Sequence, residues 1–353
     1  MVCGHAGFPF GKFCSLFNMP LFFMVSGYFF KENYYMNIES VKVFIKKRFK
    51  YLYYPFIICN IIFLLLHNFF LDINFYTNNP LLEKANVGFS MGLQQEYSLF
   101  QTLQKLFYTV ILASIQQLAG PTWFLKVLFF ISIIFCIGSF VISKIIKNKK
   151  NFEITRATLC LLCLVYGYFL YLNNFHFYHI GLIFSYIILF YIGFLYKKYN
   201  EKRKINSILF FFCTFILIYY TKNYPAFSIS ANKYNTPFGL IVMSICGFVF
   251  ILYISQFIER NLPKISKCIS YTGEHSLIIL CLHCLFFKLI NYLQISIYNL
   301  PDYTLAAIHI FSFNGWWIAY TVVGIAGSLV ALEVYNKTKL KLINILSNNK
   351  KLS

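Results

Sequence analysis

Nine stretches of mostly apolar residues divide this chain, and clusters of lysine and arginine follow every second one. The stretches are residues 14–30, 53–71, 121–142, 157–172, 180–196, 205–220, 238–258, 275–293 and 316–335. A helix needs roughly 20 apolar residues to cross a hydrocarbon layer, so runs of this length read as membrane spans. Backbone polar groups must be satisfied within lipid, which makes the spans helices, and the continuous apolar content without period-two alternation argues against a barrel. Composition agrees: 59% of the 353 residues are hydrophobic, 21% aromatic and only 12% charged, with a mean hydropathy of +0.64. A soluble enzyme, a disordered tail and a disulfide-stapled secreted domain are excluded. The expected fold is all-α, a polytopic transmembrane helical bundle formed by the single domain 1–353.

The 31 Lys and Arg against 11 Asp and Glu give a formal charge of +20. On a soluble chain this would suggest nucleic acid; here the cations bound the apolar runs and serve orientation, so no nucleic-acid partner is expected. The clusters are Lys42, Lys46, Lys47, Arg48 and Lys50; Lys144, Lys147, Lys149 and Lys150; Lys197, Lys198, Lys202, Arg203 and Lys204; Arg260, Lys264 and Lys267; and Lys337, Lys339, Lys341, Lys350 and Lys351. The intervening connections hold few cations. The positive-inside rule then places the clusters and the C-terminus in the cytoplasm of a multi-pass plasma (inner) membrane protein. That parity puts residue 1 outside although residues 1–12 carry no signal sequence, and the favoured explanation is a first helix that has lost most of its length.

The polar connection 72–104 is the main extramembrane feature, placed on the non-cytoplasmic side, where loops of that length are usually functional or disordered. Residues 106–118 are too few to cross and are expected to lie on or re-enter that face. Eleven cysteines sit mostly in apolar runs, where a thiol behaves as a small hydrophobe. Cys160–Cys163 and Cys281–Cys284 have C-x-x-C spacing but lack a polar pocket, so neither a metal nor a structural disulfide is expected.

Ionisable groups in or beside apolar runs are costly and become the functional candidates. These are His5 after Gly4, Arg48 opening the segment to Pro55, Glu274-His275-Ser276-Leu277 at the start of a run, and His283 within it. Each also has a plain structural explanation: an interfacial imidazole, a topology signal, a helix cap. Trp123 could anchor an aromatic belt, and Ser26-Gly27 could allow close helix packing.

Taken in order, Gly4-His5, Met19-Pro20-Leu21-Phe22-Phe23 to Ser26-Gly27-Tyr28, Arg48 to Pro55, Trp123-Phe124-Leu125, and Ser276-Leu277 to His283 resemble the acyltransferase 3 family of integral membrane acyltransferases. The O-acetyltransferase members that modify bacterial surface sugars are the nearest in kind. The resemblance is good from residue 4 to about 130 and weaker to 290. It implies a ten-helix layout and transfer of an acyl group, usually acetyl from acetyl-CoA, to a hydroxyl of a polysaccharide or lipid-linked sugar. No permanently bound cofactor is implied. His5 corresponds to the family's essential histidine. The arginine that the family carries about ten residues earlier has no counterpart here, and Asn18 stands where many relatives have a second histidine.

With that resemblance, His5 is the expected catalytic residue, a base for a sugar hydroxyl. Lys47 and Arg48, with Lys46 and Lys50, would meet the phosphates of coenzyme A. Ser26 and Tyr28 would border the donor arm, Trp123 would stack on a sugar ring, and His283 would line the cavity. A glycan transporter or flippase, or a polysaccharide polymerase, is the alternative class that nine or ten helices and a long outer loop also suit.

Overall fold

A computed structural model describes residues 1–175, 177–201 and 204–349, with side chains described through Lys341. Of the basic clusters, Lys202, Arg203, Lys350 and Lys351 lie outside the described residues. The chain is helical almost throughout. No strand forms among the described residues, which hold two isolated bridges, Phe89 with His309 and Ser228 with Lys233.

The first apolar run does not make one helix. It is preceded by α1 (Val2–His5) and forms α2 (Gly11–Ser15) and α3 (Asn18–Tyr28). Gly7 turns the chain after α1 with φ +74°, and Phe17 leaves the helical region at φ −141°. Asn18 then accepts from the Met19 N–H at 2.6 Å, and Pro20 sits in the first turn of α3, where a missing donor costs nothing.

The Lys42–Lys50 cluster lies within a helix rather than between runs. α4 (Ile38–Arg48) passes through a π-turn at Phe49–Tyr53 into α5 (Tyr54–Leu65), a continuous helical stretch of 28 residues. Pro55 has no N–H to offer the Tyr51 carbonyl, and the Tyr54 N–H bonds instead to Phe49, one residue further back than an α-helix would use. After α6 (His67–Asp72) and α7 (Leu81–Lys84), α8 (Leu99–Val110) begins inside the expected loop because Ser98 and Gln101 form a reciprocal capping box. The chain then folds back into the bundle. Gln116, Gln117, Leu118 and Ala119 are buried, and the Gln116 N–H donates to Asn60 of α5 at 2.8 Å.

The remaining helices run up and down: α9 (Trp123–Ile145), α10 (Lys149–Leu172), α11 (Ile180–Asn200), α12 (Ser207–Asn223) and α13 (Pro237–Asn261). The amphipathic α14 (Pro263–Glu274) links these to α15 (Ser276–Tyr298) and α16 (Trp316–Asn349). Among the described residues seven helices are long and apolar enough to cross a membrane. Of the nine expected runs, the first is broken as described and the sixth, α12, is apolar but only 17 residues long.

α3 and α11 cross closely enough that their glycines interlock. A Cβ on Gly27 would strike the Phe190 carbonyl, and one on Gly193 would strike that of Met24. Small residues permit such backbone contact where lipid offers no hydrophobic drive between helices. The core falls into two clusters. One unites α3, α4 and α9–α13; the other unites α1, α5, α6, α15 and α16. Their seam holds the site.

Candidate active site

A cavity of about 490 Å³ opens at the seam. α1 contributes His5, the start of α3 contributes Asn18 and Met19, and the start of α9 contributes Trp123. Two connections close the remaining sides: Phe89 from the long one, and His309 from the one between α15 and α16. Residues 227–230 complete the wall. The basic residues at the far ends of α9 and α11 and the starts of α10 and α14 lie at the other end of the bundle; the 23 residues of α9 put that end roughly 33 Å away.

His5 is half-buried, and neither ring nitrogen has a hydrogen-bond partner among the described residues. Its ring meets the edge of His283 at 5.2 Å between centroids, nearly perpendicular. His283 stands behind His5 and is not on the cavity wall; it is fully buried. Its Nδ1–H donates to the Ile279 carbonyl at 2.7 Å, which leaves Nε2 to accept from the Cys284 thiol at 3.4 Å. His5, His283 and Cys284 bring three possible metal-ligand atoms within 4.8 Å of one another. Imidazole and thiolate are groups that zinc accepts, but both nitrogens of His283 are already engaged, and a structural zinc takes four ligands.

A further cavity residue, His309, stands outside every motif of the sequence. It lies in the connection 299–315, buried, and its Nδ1–H donates to the main-chain carbonyl of His5 at 2.8 Å. Burial holds this imidazole below its ordinary value, against the opposing pull of that carbonyl. Nothing local in the sequence marks it, since it sits among Ile308, Ile310 and Phe311 like any loop residue. A signal did exist for Lys288, a lysine in the middle of an apolar run and by that alone a candidate for a role.

The chain matches the family model described as Acyltransferase domain over residues 1–333. It belongs to the acyltransferase 3 family. The comparisons with curated proteins and with solved structures gave no match. This membrane acyltransferase has His5 on the wall of an open cavity that Phe89, Trp123 and Phe227 also line.

The other candidates of the acyltransferase lie apart from this cavity. Ser26, Tyr28, Lys47 and Arg48 are not on its wall; along α3, Tyr28 is about 15 Å below Asn18. The Tyr28 hydroxyl donates to Glu201 at 2.8 Å, and Lys197 lies over its ring. Lys47 is exposed, with Nζ 5.4 Å from the centre of the Tyr34 ring. Arg48 lies 4.6 Å from the Phe44 ring centre, and its enclosed Nε has no hydrogen-bond partner among the described residues. The space beside Gly27, between Ser26 and Tyr28, is filled by α11. Glu274 borders a separate, apolar groove between α5 and α15.

Proposed function

We propose that this acyltransferase moves an acetyl group from cytosolic acetyl-CoA to a hydroxyl of a cell-surface polysaccharide or a lipid-linked sugar, with His5 as the base. The observation that carries the reading is that both ring nitrogens of His5 are without a hydrogen-bond partner among the described residues, in a cavity that Trp123 also lines. The cavity end faces outwards and the cationic end faces the cytosol, as the distribution of basic residues supports. Lys47 and Arg48 attract the phosphates of the donor, and the guanidinium fork suits paired bonds to phosphate oxygens. Ser26 and Tyr28 lie at the cationic end of α3, where the donor arrives. The acceptor enters from the other side, and the indole of Trp123 takes a sugar face.

A sugar hydroxyl is a poor nucleophile near neutral pH. His5 accepts its proton as the oxygen attacks the thioester carbonyl. The tetrahedral intermediate collapses, the carbon–sulfur bond breaks, and the imidazolium returns its proton to the departing thiolate. Both products leave neutral at the reacting atoms, so the chemistry needs no resident cofactor or metal. A base placed in this way contributes about 10²–10⁴-fold. The test is acetyl transfer from labelled acetyl-CoA to surface glycan by the purified protein in lipid nanodiscs, wild type beside H5A. A loss in that range supports the reading. Equal transfer by H5A removes His5 from the mechanism, and a wild type that neither binds nor consumes an acyl thioester overturns the function itself.

A further inference from the structure

Beyond the edge contact with His283, no side chain among the described residues hydrogen-bonds the His5 ring, yet the main chain beneath it is tied to the far end of the sequence. The tie runs through the connection 299–315, which is bonded to α15 and α16 on both sides of His309. Lys288, 1% exposed, gives its three ammonium protons to the carbonyls of Leu305, Ala306 and Ala307 at 2.9, 3.0 and 2.9 Å. One turn on, Asn291 donates to Ala307 at 2.7 Å. Gln294 both donates to the Phe311 carbonyl and accepts from its N–H, each at 3.0 Å. Tyr320 of α16 accepts from the Ile310 N–H at 3.1 Å and donates to Asn291. The backbone before and after His309 is thus fixed by buried polar side chains, whose cost would be high if they were left unpaired.

From that anchored segment the His309 imidazole reaches the His5 carbonyl at 2.8 Å. A carbonyl carries no proton, so the shared hydrogen belongs to Nδ1 and the tautomer is fixed. The other nitrogen, Nε2, lies close against Gly7 and Gly88, where a Cβ on either glycine would collide with the ring. Gly7 is also the left-handed turn that ends the α1 segment, so the ring and the turn are fitted to each other.

We propose that His309 is a positioning residue for His5. Its Nδ1–H, held in place by Lys288, Asn291, Gln294 and Tyr320, fixes the main chain of His5 and with it the direction of the imidazole in the cavity. The inference rests on the reading of His5 as the base. A displacement of about 1 Å at a reacting group can cost on the order of 100-fold in rate, so the anchor matters to turnover and not to donor binding, which takes place elsewhere.

Asparagine and glutamine separate the two ring nitrogens. The amide nitrogen of Asn can stand where Nδ1 stands, and that of Gln where Nε2 stands. The full chain in lipid nanodiscs is assayed for acyl transfer as wild type, H309A, H309N and H309Q, with thermal midpoints measured alongside. For H309A and H309Q we expect kcat to fall about 10- to 100-fold with the donor KM within about twofold of wild type. H309N should recover kcat to within about threefold. Should H309A fail to fold, the contrast between H309N and H309Q decides. Wild-type turnover in H309A, equal rescue by Gln and Asn, or a folded H309N as slow as H309A would each overturn the proposal. A wild type that consumes no acyl thioester overturns the chemistry assigned to His5, and this inference with it; an active wild type beside an indifferent H309A overturns this inference alone.

Discussion

At the end of the bundle that carries His5, a buried ammonium is held by neutral groups: Lys288 spends its protons on three main-chain carbonyls. At the opposite end a buried guanidinium is held by charge. Arg156, 2% exposed, pairs with Glu153 at 2.6 Å, and Glu153 also takes Lys198 at 2.7 Å, which in turn reaches Glu32. Five aromatic rings surround Arg156, those of Phe152 and Phe194 nearest at 4.8 and 4.6 Å. Its Nε and Nη1 nevertheless have no hydrogen-bond partner among the described residues. Lys288 is fully satisfied and organises a loop; Arg156 is only partly satisfied and joins helices that already pack. The difference teaches where structure depends on a single side chain.

Removing Lys288 should therefore have the larger effect. K288M keeps the volume but takes a donor from three buried carbonyls; Asn291 still reaches those of Leu305 and Ala307, and that of Ala306 is left unpaired. The unpaired carbonyl costs about 1–3 kcal/mol and the charge-assisted bonds lost at the other two add to it, partly offset by relief of the buried charge, so a net loss of about 2–4 kcal/mol is expected. Thermal unfolding of the full chain in detergent measures it, and acyl transfer should fall with it because the support of His309 is gone. K288M with a wild-type midpoint would mean that the connection 299–315 is held by packing alone.

R156M should cost less, about 1 kcal/mol, because Glu153 keeps Lys198 and the aromatic box accepts a thioether. Transfer should stay near wild type, since Arg156 lies at the end of the bundle away from the cavity. A midpoint drop as large as that of K288M would erase the contrast between the two ends, and would show that the shared carboxylate needs both cations.

Much of the fold could be read from the chain, because apolar runs of membrane length and clustered cations report directly on what lipid will accept. The site was legible only where a residue sits in a motif. His5, Asn18 and Trp123 come from separate parts of the sequence, and the structure does gather them around one cavity. The broken first run was hidden because its apolar content is continuous; only Phe17 leaving the helix and Asn18 capping its own neighbour reveal the interruption. The basic cluster at Lys42–Lys50 looked like a loop because charge usually ends a span, whereas here the π-turn before Pro55 lets the helix continue past it. His309 could not be read locally at all. Its role depends on a contact across 304 residues, set by loop geometry that no periodicity encodes.

The smallest expected effect concerns pH, and again it belongs to one end. His67 and His309 both lie beyond the spanning helices on the cavity side, and burial lowers both imidazoles from the ordinary value of 6.5. His67 donates from Nε2 to the Gln95 carbonyl at 2.8 Å and stacks on Tyr97, while its enclosed Nδ1 has no partner among the described residues. The Gln95 bond opposes the shift and the nearby Lys105 adds to it. Protonation would place a charge and an unmatched N–H in that enclosed space. The unfolded chain binds these protons more readily than the folded one, so stability rises with pH across the window. It should be complete above about pH 6.5 and decline as the pH falls below that value. Midpoints between pH 5 and 8 check the slope, and the variants assign it. H67Q combined with H309N should make the decline shallower, while R156M should leave it unchanged. A slope as steep in the double variant as in wild type would have to come from other groups, and His67 and His309 would then lose their part in it.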